Sequence, residues 1–107
     1  MAFEFVGGKT SLDANAEGSI TLTYDRNCKI EQLVHNEDGR CELTAFKIAS
    51  ELDLITGVAE LSALKKEGNV YTFPEPLTWK ASVPLTIGLK DLSGATNNVY
   101  VTLVVTY

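Results

Sequence analysis

Apolar and polar residues alternate cleanly over the last quarter of the chain. From Ser82 to Lys90, Val83, Leu85, Ile87 and Leu89 fall in one phase, and Ser82, Pro84, Thr86 and Gly88 in the other. From Asn98 to Tyr107, Val99, Val101, Leu103, Val105 and Tyr107 share a phase, opposed by Tyr100, Thr102, Val104 and Thr106. A repeat of two is the side-chain period of a β-strand. Asp91-Leu92-Ser93-Gly94-Ala95-Thr96-Asn97-Asn98 separates the runs and is rich in turn formers. Two strands joined by a loop, read as a hairpin, are expected to close the chain.

The remaining segments read mostly as short strands. Phe3, Phe5 and Val6 predict a first strand broken by Gly7-Gly8, and the small polar stretch from Lys9 to Gly18 reads as a loop. In Ser19 to Asp25, Ile20, Leu22 and Tyr24 point one way and Thr21 and Thr23 the other. Cys28-Lys29-Ile30-Glu31-Gln32-Leu33 and Cys41-Glu42-Leu43-Thr44-Ala45-Phe46 share one pattern: Cys, charged, aliphatic, two spacers, apolar. The spacers break strict alternation once, and a β-bulge would restore it. Folding about the turn formers Asn36 to Arg40 makes these segments a bent hairpin with Leu33 opposite Leu43. Ala45 to Lys66 is ambiguous. The spacing predicts a strand to about Ala49 and a short helix over 58–66, the alternative being a helical hairpin from Thr44 to Gly68 in an α+β fold. Val70 to Phe73 reads as strand. Pro74 and Pro76 lack N–H donors and exclude an interior strand, while Pro84 marks an edge or a strand start. The expected fold is all-β: one antiparallel β-sandwich over 1–107, jelly-roll or immunoglobulin-like.

Length and charge narrow the function. A chain of 107 residues supports one core. A net charge of −5, with basic residues scattered apart from Lys65-Lys66, argues against a nucleic-acid or anionic-membrane surface. No apolar run is long enough for a membrane helix. The N-terminal residues have neither the basic start nor the long apolar stretch of a signal peptide, and none is expected.

Candidate chemistry is sparse. In the predicted hairpin Cys28 faces Ile48, about 20 Å from Cys41 at roughly 3.3 Å per residue, beyond disulfide reach. Two small buried hydrophobes are expected instead. Gly8-Lys9-Thr10 resembles the end of a phosphate loop, but Phe3 stands where that motif requires glycine. His35, the only histidine, would face Cys41 and could form a weak metal site. Structural zinc wants four ligands, and a surface histidine beside a turn is the preferred reading. Asn36-Glu37-Asp38-Gly39 lacks the acid spacing of a calcium loop and reads as a turn. Nothing sets a nucleophile beside a base and an orienting group, so no catalytic, cofactor or metal residue is assigned. Two surfaces remain. Trp79 is the best candidate for an exposed ring that stacks on a sugar. Tyr100, Thr102, Val104 and Thr106 carry no charge on what should be a wet face; they are expected to be covered within the monomer or to form a partner interface.

The stretch from Leu85 to Leu103, with its Asp-Leu-Ser-Gly turn and Val/Thr strand, resembles the end of immunoglobulin-like modules of phage virion and bacterial surface proteins. A jelly roll, as in viral coat and head-decoration proteins, accommodates the long excursion from Ala45 to Lys66 better, and the Cys–Trp–Cys core pattern is absent. The resemblance implies a non-enzymatic structural protein of a virion, a capsid-decoration or minor component. It would bind protein, by self-association or on a capsid or surface protein, as a homo-oligomer or part of a larger assembly. The alternative is a carbohydrate- or ligand-binding module, extracellular or on a cell surface.

Overall fold

The inward phase of the alternating runs builds the fold. The computed structural model describes residues 2–49, 52–53, 59–63 and 69–107. Its strands are β1 (Phe3–Leu12), β2 (Glu17–Leu22), β3 (Cys28–Glu37), β4 (Cys41–Ile48), β5 (Leu52–Asp53), β6 (Ala59–Glu60), β7 (Val70–Trp79), β8 (Leu85–Asp91) and β9 (Asn97–Thr106). They form two antiparallel sheets, ordered β1-β9-β3-β7 and β2-β8-β4-β5, with β6 also on β4. β5 pairs with Lys47 and Ile48, and β6 with Glu42 and Leu43, so the two dipeptides share one strand position at the edge of the second sheet. Counted that way, the first sheet holds positions 1-8-3-6 and the second 2-7-4-5. This is the strand order of a jelly roll, the β-sandwich built from two Greek keys.

The sheets bury their facing sides against each other. Leu12, Ile20, Leu22, Ile30, Leu33, Leu43, Phe46, Trp79, Leu85, Ile87, Leu89, Val99, Val101, Leu103 and Val105 form a continuous core. Burying a side chain of the Val, Leu or Phe class contributes about 1.5–3 kcal/mol. Cys28 and Cys41 are free thiols within this core, as their small apolar character predicts.

Both bulges foreseen from the spacer pairs are present. Glu31 is the extra residue between Ile30 and Gln32, and Thr44 the extra residue between Leu43 and Ala45. Gly88 lies beneath the second bulge. A Cβ there would stand 2.6 Å from Thr44 Oγ1, so the close approach requires glycine.

Several expectations are corrected. The two terminal strands are not a hairpin: β8 lies in the second sheet and β9 in the first. β3 and β4 are likewise split between the sheets, so the register that set Leu33 opposite Leu43 does not exist. The chain turns a corner at Asp38–Arg40 instead. β1 runs unbroken through Gly7-Gly8 and includes Lys9–Leu12, because ten consecutive pairings with β9 hold it extended despite the glycines. Glu17 opens β2 rather than closing a loop. The expected helix is absent among the described residues: 59–60 is strand and Leu61–Ala63 a single 3-10 turn that buries Leu61. Residues 58 and 64–66 of that expectation lie outside the described residues. The α+β alternative fails with it, since β4 takes Thr44 to Ile48. The prolines behave as anticipated. β7 is an edge strand, and its register with β3 jumps from Thr72 to Leu77 across Pro74 and Pro76.

A buried polar knot joins the loops at one end of the sandwich. The Asp91 carboxylate accepts bonds from the N–H groups of Asn15 (2.8 Å), Ser93 (3.0 Å) and Gly94 (3.0 Å), the Ser93 hydroxyl (2.6 Å) and Asn97 Nδ2 (3.0 Å). Asn97 Nδ2 also donates to the carbonyls of Gly39 and Arg40, and its Oδ1 accepts from Gly39 N–H. Gly94 adopts φ +76°, a left-handed turn position that glycine takes without strain.

Candidate interaction surface

The outward residues of the first sheet line up in rows. Strand pairing sets Phe5, Val104, Gln32 and Thr72 side by side, and Gly7, Thr102, Val34 and Val70 in the next row. Neither row contains a charge. Lys9, Tyr100 and Asn36 bound them on one side, and Phe3, Thr106, Lys29 and Thr78 on the other. β9 is a central strand, which accounts in part for its uncharged outer side: Thr102, Val104 and Thr106 are half-covered by their neighbours. Tyr100 is 47% exposed, however, and Phe3 and Phe5 on β1 are 66% and 63% exposed.

Local contacts fix these rings. Phe3 and Phe5 meet edge to face with centroids 5.9 Å apart. The Lys9 ammonium lies 5.9 Å from the centre of the Tyr100 ring, within cation–π range. Thr106 Oγ1 donates to Glu31 Oε2 at 2.8 Å, and Gln32 Nε2 to Thr72 Oγ1 at 3.2 Å. Charged groups therefore sit at the margins, and the centre offers methyls, hydroxyls, an amide and aromatic rings. At Gly7 the β9 strand comes close: a Cβ there would stand 2.9 Å from Thr102 Oγ1.

The second sheet presents the opposite character. Its outward rows contain Glu17, Lys90 and Glu42 directly opposite one another, with Glu60 next to Glu42 and Lys47 opposite Thr86. Arg40 Nε also donates to Glu60 Oε1 at 2.7 Å. Lys90 lies between Glu17 and Glu42, and Arg40 offsets the like-charged pair of Glu42 and Glu60, as on a solvated face.

The structure brings all four outward residues of β9 onto one surface and adds Phe3 and Phe5, which sequence reasoning left without a role. Their Phe-x-Phe spacing was the available signal, but which face they joined depended on β1 pairing with β9. Trp79 does not belong to any surface. Its ring is fully buried at the end of β7, and Nε1 donates to the Val83 carbonyl at 2.8 Å. The expected sugar platform is thereby corrected, because the inward phase of β7 at Leu77 and Trp79 turns the ring into the core. His35 is corrected too. The bulge at Glu31 shifts the phase so that Leu33 and His35 both point inward, and His35 Nδ1 pairs with Glu37 Oε2 at 2.7 Å.

The titratable groups of the interior fit a structural role. The hydroxyl of Ser93, with the N–H groups of Asn15 and Ser93 and the Asn97 amide, holds the Asp91 carboxyl well below the usual carboxylate range against the opposing effect of burial. Burial pushes the Cys41 thiol up to about 11 and raises Cys28 as well. Such thiols are inert at neutral pH. Among the described residues no group of three His, Cys, Asp or Glu side chains could hold a metal ion, and no helix is long and apolar enough to cross a membrane. No family model, curated protein or solved structure matches this chain.

Proposed function

We propose that this protein is a non-enzymatic structural component that works by assembly, with the outer face of the β1-β9-β3-β7 sheet packed against another protein subunit. One observation carries the reading: two uncharged rows flanked by exposed Phe3, Phe5 and Tyr100 on one sheet, against charged rows on the other. An apolar centre with a charged margin is the anatomy of a protein interface, where aromatic residues are enriched and charges are depleted from the core. The setting we favour is a phage-type virion, as a capsid-decoration or minor structural protein. That choice rests on the resemblance of Leu85 to Leu103 to virion modules and on the use of jelly rolls in capsid proteins. Lectins use the same architecture, but the carbohydrate reading lost its motive when Trp79 proved buried. Size-exclusion chromatography with mass detection tests the proposal. Association through this face predicts a complex, with itself or with an assembled particle, that Val104→Lys abolishes. Unchanged association of a folded Val104→Lys variant would remove the face from the interface.

A further inference from the structure

The open edge of β1 carries an inference that goes beyond the use of the sheet's face. Ala2 and Tyr107 exchange both backbone hydrogen bonds, each 3.0 Å. In an antiparallel pair this pattern repeats every second residue. The N–H and C=O groups of Glu4, Val6, Gly8, Thr10 and Leu12 thus face β9. Those of Phe3, Phe5, Gly7, Lys9 and Ser11 point away from the sheet, since β1 ends the strand order.

The other edges are protected against pairing more heavily than β1. β7 carries Pro74 and Pro76 and a break in register. β2 has six residues with Glu17 at its start, and β5 and β6 have two residues each. β1 is ten residues long, has no proline and pairs with β9 without a bulge. Native edges are normally blunted by short length, proline, bulges or inward charges. β1 keeps only two charges, Glu4 near its start in the inward phase and Lys9 on the outer face, and its long regular course leaves the edge between them a template for another strand.

We propose that this strand is β1 of a second copy, joined antiparallel about a two-fold axis at Gly7, so that two four-stranded sheets become one of eight. The sequence of β1 is self-complementary in that register. Gly7 meets the partner's Gly7, and no side chains compete at the axis. Phe5 lies opposite the partner's Lys9, and Phe3 opposite the partner's Ser11. Glu4 faces the partner's Thr10, and Val6 the partner's Gly8. No like charges are opposed, which would destabilise the pairing. An isologous contact of this kind closes as a dimer. It also sets the two uncharged faces side by side while leaving both open, so it stands independently of what those faces bind.

Amide hydrogen exchange by NMR, over a range of protein concentrations and alongside mass measurement, tests the pairing. The expected mass rises from 11.6 kDa to twice that value. With it, the amides of Phe3, Phe5, Gly7, Lys9 and Ser11 become protected, while those of Glu4, Val6, Gly8 and Thr10 are protected throughout by β9. Lys9→Pro removes an outward N–H that the monomer does not use, a place where an edge strand accepts proline. It should abolish the dimer while β9 amides keep their protection. Lys9→Ala should leave the dimer intact. A protein that stays at 11.6 kDa at millimolar concentration, or a dimer whose outward β1 amides exchange freely, overturns the proposal. So does protection of these amides only when a different protein is added. Val104→Lys alters the face and leaves the edge pairing unchanged, which separates failure of this inference from failure of the facial contact.

Discussion

Asn97 Nδ2 donates to Asp91 Oδ1 across 3.0 Å inside the core, and this bond ties together the two ends of the loop between β8 and β9. Both residues are fully buried. The same Asn97 amide reaches the Gly39 and Arg40 carbonyls, so the β3–β4 corner and the β8–β9 crossing share one hub. Each side chain has several partners, which offsets the cost of removing it from water. The knot is what turns the chain from one sheet into the other at this end.

Acid should loosen this knot. The carboxyl of Asp91 is held below its ordinary value of about 3.9 in the folded protein. A depressed native value means that the unfolded state binds the proton more readily. The stabilisation is complete above about pH 4 and declines as pH falls below it. Urea midpoints of wild type and Asp91→Asn, measured from pH 6 down to pH 2, should converge towards low pH. A constant difference across that range would show that the ionised carboxylate is not what stabilises the loop. Asn97→Ala leaves the Asp91 oxygen and two carbonyls short of a donor, and should cost about 1–3 kcal/mol at neutral pH.

The strand faces were legible in the sequence because alternation records burial residue by residue. Val99, Val101, Leu103 and Val105 are all fully buried, as are Leu85, Ile87 and Leu89. Sheet membership was not legible. Two strands with apolar inner faces show the same pattern whether they lie side by side in one sheet or face each other across the core. β8 with β9, and β3 with β4, are of the second kind. The distinguishing chemistry was Asp91, which continues the inward phase of Leu85, Ile87 and Leu89 and so requires a buried set of donors. His35 was hidden by the bulge at Glu31, which moves every later residue of β3 to the opposite phase. Of the candidate surface, the four β9 residues were visible from their lack of charge. Phe3 and Phe5 were not, because Gly7-Gly8 disguised a ten-residue strand.

Leu103→Ala should destabilise the protein by about 2–5 kcal/mol, the range for a large-to-small change at a well-packed site. Leu103 is fully buried on β9, one of the two interior strands of the first sheet, so little movement can close the cavity. Urea unfolding measures the loss. A value under about 1 kcal/mol would mean that the inner face collapses around the deletion in a way rigid cores do not.

The two thiols should be silent in the native state. Cys28 opens β3 and Cys41 follows its far end, so the length of the strand separates them. Both are buried, and burial pushes the Cys41 thiol up to about 11. Alkylation at pH 8 followed by intact-mass measurement should find neither modified in the folded protein and both modified in urea, with or without reductant. A disulfide in freshly purified protein would contradict the sheet assignment of β3 and β4.

Val104 decides whether the uncharged sheet face is a contact. In the monomer its side chain points outward between Phe5 and Gln32 and is only half-covered. A lysine there can lift its ammonium into water along its flexible stem, so Val104→Lys should fold with a urea midpoint close to wild type. In a complex the same ammonium would be trapped without a partner, and an unpaired buried charge costs several kcal/mol. Association should fall by at least about a hundredfold, since 1.4 kcal/mol corresponds to a factor of ten. Gln32→Lys should act in the same direction from β3, on the side of Val104 away from the β1 edge. Thr21→Lys, on the charged sheet, should change nothing. Mass-detected chromatography of the three variants, with circular dichroism as the folding control, separates the outcomes. Loss of folding in Val104→Lys would mean that the face is covered within the monomer. Equal association of all three with wild type would leave Phe3, Phe5 and Tyr100 as ordinary exposed rings and reopen the ligand-binding reading.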